Sequence, residues 1–99
     1  MIIRIFRITI DPVLREEFER DFATISVGAV ESRAGFIACE IGRPTKWNLD
    51  EYAMISRWED EDSLEAFVGS DWNQAVIPPG MERYVREYAV VHFQATSRK

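Results

Sequence analysis

Residues 57–81, RWEDEDSLEAFVGSDWNQAVIPPGM, decide the fold, because they join a strand end to a capped helix and then stop that helix with prolines. Asp62 followed three residues later by Glu65 is a D-x-x-E box, whose carboxylates accept from the free backbone N–H groups of a helix start. Leu64, Phe67, Val68, Trp72, Ala75 and Val76 recur at the helical period and predict one apolar stripe facing a sheet. Gly69-Ser70-Asp71 inside that stripe predicts a kink near Gly69. Pro78 and Pro79 cannot donate to a helix, and Ile77 is biased out of the helical region by the proline after it, so the helix is expected to end by Ile77.

Upstream, residues 2–10, IIRIFRITI, are rich in β-branched side chains and predict a strand with two greasy faces. Ile2, Arg4, Phe6, Ile8 and Ile10 share one face, Ile3, Ile5, Arg7 and Thr9 the other. Asp11-Pro12 is a capping carboxylate followed by proline at the first helical position, which predicts a first helix. Leu14, Phe18, Phe22, Ile25 and Ala29 form its apolar stripe, with a bend expected near Gly28, an end near Arg33 and Gly35 as the left-handed cap. Residues 36–43 alternate Phe36, Ala38, Glu40 against Ile37, Cys39, Ile41, a loop follows over 42–50, and residues 51–58 give a third strand antiparallel to the second. Residues 84–94 predict the last strand, and residues 95–99 a polar tail.

The order βαββαβ in a single domain over residues 1–99 is the α+β, ferredoxin-like arrangement: a four-stranded antiparallel sheet with two helices on one face. That leaves a second sheet face uncovered, with Ile3, Ile5, Ile37, Cys39, Ile41, Ala53, Ile55, Ala89, Val91 and Phe93 expected on it. An apolar patch of this kind predicts a homodimer closed sheet to sheet.

The chain has 99 residues, 46% of them apolar, and carries a formal charge of −5. Acidity argues against a nucleic-acid partner, whose backbone attracts clustered Lys and Arg. No apolar run approaches the ~20 residues that span a bilayer, and no secretory h-region follows Met1, so no membrane partner and a cytoplasmic location are expected. One cysteine and one histidine exclude an internal disulfide and any multi-cysteine or His-rich metal site built from one copy.

Gly35-Phe36, the strand ending Ile55-Ser56-Arg57-Trp58-Glu59, and Leu64-Glu65-Ala66-Phe67 with Ser70 after it resemble the antibiotic biosynthesis monooxygenase family of dimeric α/β barrels, over residues 2–94. The resemblance implies a flat, electron-rich ligand held between helices and sheet. It also implies, for some members, oxidation by O₂ without metal or flavin, so no cofactor is expected. A dry pocket, a base and donors for the developing oxygen charge are what such chemistry needs. Haem-degrading members place asparagine, tryptophan and an iron-binding histidine where an ungapped reading puts Phe6, Phe67 and Ile77, none of which ligates iron, so haem degradation is the least favoured function. Quinol-oxidising relatives often carry histidine near the positions of Phe67 and Trp72, where this chain has aromatics.

Two functions remain: a cofactor-independent monooxygenase of a small aromatic or polycyclic, quinol- or anthrone-like metabolite, and a non-catalytic dimer that binds a small hydrophobic ligand. His92 is the candidate general base, against a packed or edge histidine. Arg4 is the candidate anion clamp, against a strand-end side chain reaching water. Phe6, Phe22, Trp58, Phe67 and Trp72 are the candidate pocket wall, against an ordinary core stripe. Tyr52, Tyr84 and Tyr88 are expected at surface or interface positions, the carboxylates from Glu59 to Asp62 are read as helix capping, and Cys39 as buried and inert. An inward Arg4 or His92 favours chemistry; an all-apolar lining favours binding alone.

Overall fold

The computed structural model describes residues 1–96; the last three residues of the expected tail lie outside them. Four strands, β1 (Ile2–Thr9), β2 (Phe36–Gly42), β3 (Glu51–Trp58) and β4 (Glu87–Gln94), form one antiparallel sheet in the order β2-β3-β1-β4. β1 lies at the centre, paired along its whole length with both β3 and β4. Helical segments cover one face, so β3 alternates half-buried and buried residues from end to end. Within the tail, the Ala95 N–H still bonds the Met1 carbonyl.

The first helical layer begins as expected, with the Asp11 side chain accepting from the Val13 N–H ahead of a 3₁₀ turn at Pro12–Leu14. It continues as α1 (Arg15–Asp21), a π-helical stretch (Phe22–Ser26) and α2 (Val27–Glu31). The irregularity therefore falls before Gly28, not at it. Its physical origin lies in the buried row Phe18, Phe22, Ser26, Val30, spaced by steps of four. An α-helix turns every 3.6 residues, so steps of four drift around its surface, and the wider π turn brings the row back into line. Ile25 and Ala29, expected on the stripe, are half-buried beside it.

Helix α3 (Glu61–Val68) starts earlier than expected: its cap is Asp60, whose carboxylate accepts from the Ser63 N–H, in place of Asp62. In a run of four acidic residues several can cap, and Asp60 is the one with extended backbone. The helix also ends sooner, because Gly69 at φ 87° closes it outright instead of kinking it. Leu64, Phe67 and Val68 are helical, whereas Trp72, Ala75, Val76 and Ile77 lie on an irregular strap over residues 70–80 that still packs Trp72 and Ile77 on the core. Gly35 sits at φ 82°, and a Cβ there would collide with the Ser63 side chain, so this joint between the helical layer and α3 admits only glycine.

β2 reverses part of the expected face assignment. A register shift between Phe36 and Ala38 sets Cys39 opposite Ser56 and Ile41 opposite Met54, on the covered side, where both pack on the core. The extra residue of a bulge switches the pleat, which lets Phe36, Cys39 and Ile41 all face the helices. Ala38 and Glu40 take the uncovered side, opposite Arg57 and Ile55. β4 begins at Glu87, because Tyr84 ends a 3₁₀ turn. Tyr84 and Tyr52 are each 1% exposed, not surface residues, with hydroxyls donating to Asp21 and Glu19. Both brace the helical layer against the sheet, around Phe18.

Candidate functional site

One register row crosses the covered face with a residue from each strand: His92, Arg4, Ser56 and Cys39. The next row, Val90, Phe6, Met54 and Ile41, is apolar, so the floor passes from polar to apolar in one step along the strands.

Arg4 is 4% exposed. Its Nη1 donates to the Trp72 carbonyl at 3.0 Å and to His92 Nε2 at 2.8 Å, and its Nη2 donates to the Gln74 carbonyl at 3.0 Å. All three partners are neutral, and among the described residues no carboxylate pairs with it. Burial alone pulls its pKa down to about 10. A buried cation held by neutral acceptors keeps its field for whatever lies beside it.

His92 Nε2 accepts from a guanidinium that can only donate, so the imidazole is neutral with its proton on Nδ1. Burial first, and the Arg4 charge second, hold its pKa below the ordinary value. The unfolded chain takes up a proton near pH 6.5 while the native state resists it. Stability from this group is therefore present above that pH and is lost as pH falls toward the native pKa. We expect the urea midpoint to drop on acidification from neutral pH, before Glu19, Asp21, Glu51 and Asp60 titrate, because their pKa values are themselves lowered. His92→Gln should flatten that early limb; an identical pH profile in the variant would refute the assignment.

Between sheet and helices lies a cavity of about 40 Å³. Arg4, Phe6, Ile8, Met54 and Ser56 form its floor, Phe18, Phe22, Ser26, Ala29 and Val30 its roof, Phe67 one wall, and Val76, Ile77 and Pro78 of the strap another. Met81 and Val85 complete it. This volume holds roughly three waters, against about 300 Å³ or more for an ordinary ligand pocket. A flat aromatic ligand needs more room than this, and the strap that forms one wall is tied to the floor by Arg4 through the Trp72 and Gln74 carbonyls.

Of the residues singled out in the sequence, Arg4, Phe6, Phe22 and Phe67 meet in this cavity, whereas Trp58, Trp72 and His92 do not line it. Trp58 is fully buried behind Phe67, ring centroids 5.2 Å apart, and its Nε1 donates to Ser56 Oγ at 3.0 Å. Trp72 lies over the His92 ring at 5.2 Å and donates to Glu65. Ser56 and Ser26 were missed. Along residues 51–58 the sequence alternates Tyr52, Met54, Ser56 and Trp58 against Ala53, Ile55 and Arg57, which sets one polar residue on a greasy face and is the available signal for Ser56; for Ser26 the π turn leaves none. Among the described residues no three His, Cys, Asp or Glu side chains gather where a metal ion could sit.

Comparison with known proteins agrees with this architecture. A mutant form of SnoaB, a cofactor-independent oxygenase from Streptomyces nogalater, superposes with a TM-score of 0.73 at 18% identity, covering 98% of this chain and 94% of that one. MhuD, a haem degrader from Mycobacterium tuberculosis with two haems bound in its active site, superposes at 0.72 with 19% identity, covering 100% and 99%. At these identities the likeness establishes the fold alone. A search of curated proteins gives no match. The sequence profile of the antibiotic biosynthesis monooxygenases matches residues 1–96, and the chain belongs to that family.

Proposed function

We propose that this protein is a cofactor-independent monooxygenase of a small aromatic or polycyclic, quinol- or anthrone-like metabolite, working as a homodimer closed through the uncovered sheet face. The observation that carries this reading is Arg4: a buried guanidinium, unneutralised by any carboxylate among the described residues, on the floor of an otherwise apolar cavity. A cation in such a place lowers the pKa of a hydroxyl or activated C–H beside it by about 1–3 units. The resulting anion is the species that passes an electron to O₂. On the ring methylene of an anthrone, one oxygen atom then replaces the carbon's two hydrogens and the other leaves as water. The aromatic lining keeps bulk water away from the intermediate. His92 acts through Arg4, fixing the guanidinium between imidazole and strap. SnoaB gives the reading a precedent on this fold.

The second reading, a dimer that binds a hydrophobic ligand without transforming it, is favoured by one observation: Arg4 is the only ionisable side chain among the cavity's lining, so no base stands inside it. Haem remains the least favoured ligand. Phe6, Phe67 and Ile77 all line the cavity, and no histidine does. The experiment is oxygen uptake by the purified protein with a panel of quinols and anthrones and a metal chelator present. Turnover above the substrates' own autoxidation is the expected result, and none above it would transfer the conclusion to the binding reading.

A further inference from the structure

Ser56 is 2% exposed, lines the cavity, and is the cross-strand neighbour of Arg4. Its Oγ accepts from Trp58 Nε1, an indole group that only donates. That bond occupies a lone pair and leaves the hydroxyl hydrogen for a second partner, and among the described residues Ser56 has none. Arg4, beside it, uses both Nη1 hydrogens but forms no bond through Nε and only one through Nη2. Two side chains with unspent donor hydrogens, one of them charged, therefore line the floor of an apolar chamber from paired positions of β1 and β3. A ligand oxygen placed there would accept from hydrogens that no protein group among the described residues uses.

We propose that Arg4 and Ser56 form a two-donor seat for one anionic oxygen, and that the ligand is a flat aromatic molecule carrying that charge as a carboxylate or an ionised ring hydroxyl. The seat rests on the cavity being the ligand site, but not on turnover. Trp58 takes its part from behind the wall: by donating to Ser56 it turns the serine into a donor toward the ligand. A neutral aromatic of the same shape fills the same space and leaves both donors unmatched, so the cavity discriminates by charge at constant shape.

The test is equilibrium binding to the full chain, read by calorimetry at neutral pH, with two matched pairs: 2-naphthoate against its methyl ester, and 2,4-dinitro-1-naphthol, ionised at this pH, against its methyl ether. Each anion is expected to bind about 10- to 100-fold tighter than its neutral partner, the worth of a hydrogen bond to a charged group. The pair with the larger ratio identifies the source of the charge. Ser56→Ala should cut the ratio by about 10-fold. Ser56→Cys, which keeps the size and an acceptor for Trp58 but donates poorly, should do nearly the same if the alanine variant folds badly. Arg4→Met should bring the ratio to one. Equal affinity within both pairs, or an undiminished ratio in both Ser56 variants, overturns the seat while leaving the oxygenase reading in place. No binding by any of the four compounds overturns the cavity as the ligand site and the seat with it.

Discussion

Arg4→Met should lower oxygen uptake by about 10²–10³-fold, the range found when one donor to a developing oxyanion is removed. Methionine keeps much of the length of the side chain and fills the same floor position between Phe6 and the strap, so the floor keeps its apolar contacts while the charge and the tie to the strap are lost. For a substrate that ionises only inside the cavity the loss should fall on kcat, and for one that arrives already charged it should appear in KM as well. Stability should change little in comparison. The native state no longer buries a guanidinium, and this offsets the donors withdrawn from the Trp72 and Gln74 carbonyls. Arg4→Lys retains the charge but not the fork that reaches two carbonyls and an imidazole, and an intermediate rate is expected. His92→Ala provides the discriminating comparison. A general base costs about 10²–10⁴-fold when removed, but His92 Nε2 already accepts from Arg4 and the ring does not line the cavity. Its loss should therefore be smaller than that of Arg4→Met. An oxygen electrode that ranks the two the other way would make His92 the base and Arg4 its accessory.

The particular residues show where sequence reasoning reaches and where it stops. Strand β3 was legible to the residue, because alternation over Tyr52, Met54, Ser56 and Trp58 and the turn residues before it are local signals. Arg4 was legible as a face assignment, since strand parity alone puts it with Phe6 and Ile8. Its partners were not legible: two carbonyls about seventy positions away depend on how the strap folds after Gly69, and a stripe at helical spacing describes equally well a helix and a chain that merely touches the same core. Parity also failed in β2, where one bulge residue moved Cys39 and Ile41 to the other face. No residue type marks such a bulge in advance. The cavity depends on a π turn that aligns Phe22 and Ser26, a property of the spacing of four residues that only packing reveals.

Ile55→Asp should convert a dimer into a monomer. The uncovered face carries Ile5 at its middle, opposite Ile55 on one side and Val91 on the other, with Ile3 and Phe93 one pair further along. Val91 and Phe93 are 41% and 53% exposed in the single chain, and Arg7, Arg57 and Glu40 stand at the borders of the patch. An apolar centre with a charged border is the anatomy of an interface, and a self-complementary patch closes under two-fold symmetry. A stable pair buries about 800 Å² on each partner, and a four-stranded sheet offers a face of that order. Aspartate at position 55 would meet Ile5 across one ladder and Glu40 across the other, an apolar neighbour and one of like charge. Burying that carboxylate without a partner costs several kcal/mol, about 10²–10⁴-fold in the dimer constant. Sedimentation equilibrium should then give the wild type at twice 11.5 kDa and the variant at the monomer mass over the same concentrations. Far-ultraviolet circular dichroism separates dissociation from unfolding, since the covered face, with Trp58 and Tyr52 buried on it, is untouched by the substitution. A wild type that stays monomeric at every concentration would mean that this face is covered by something other than a second copy.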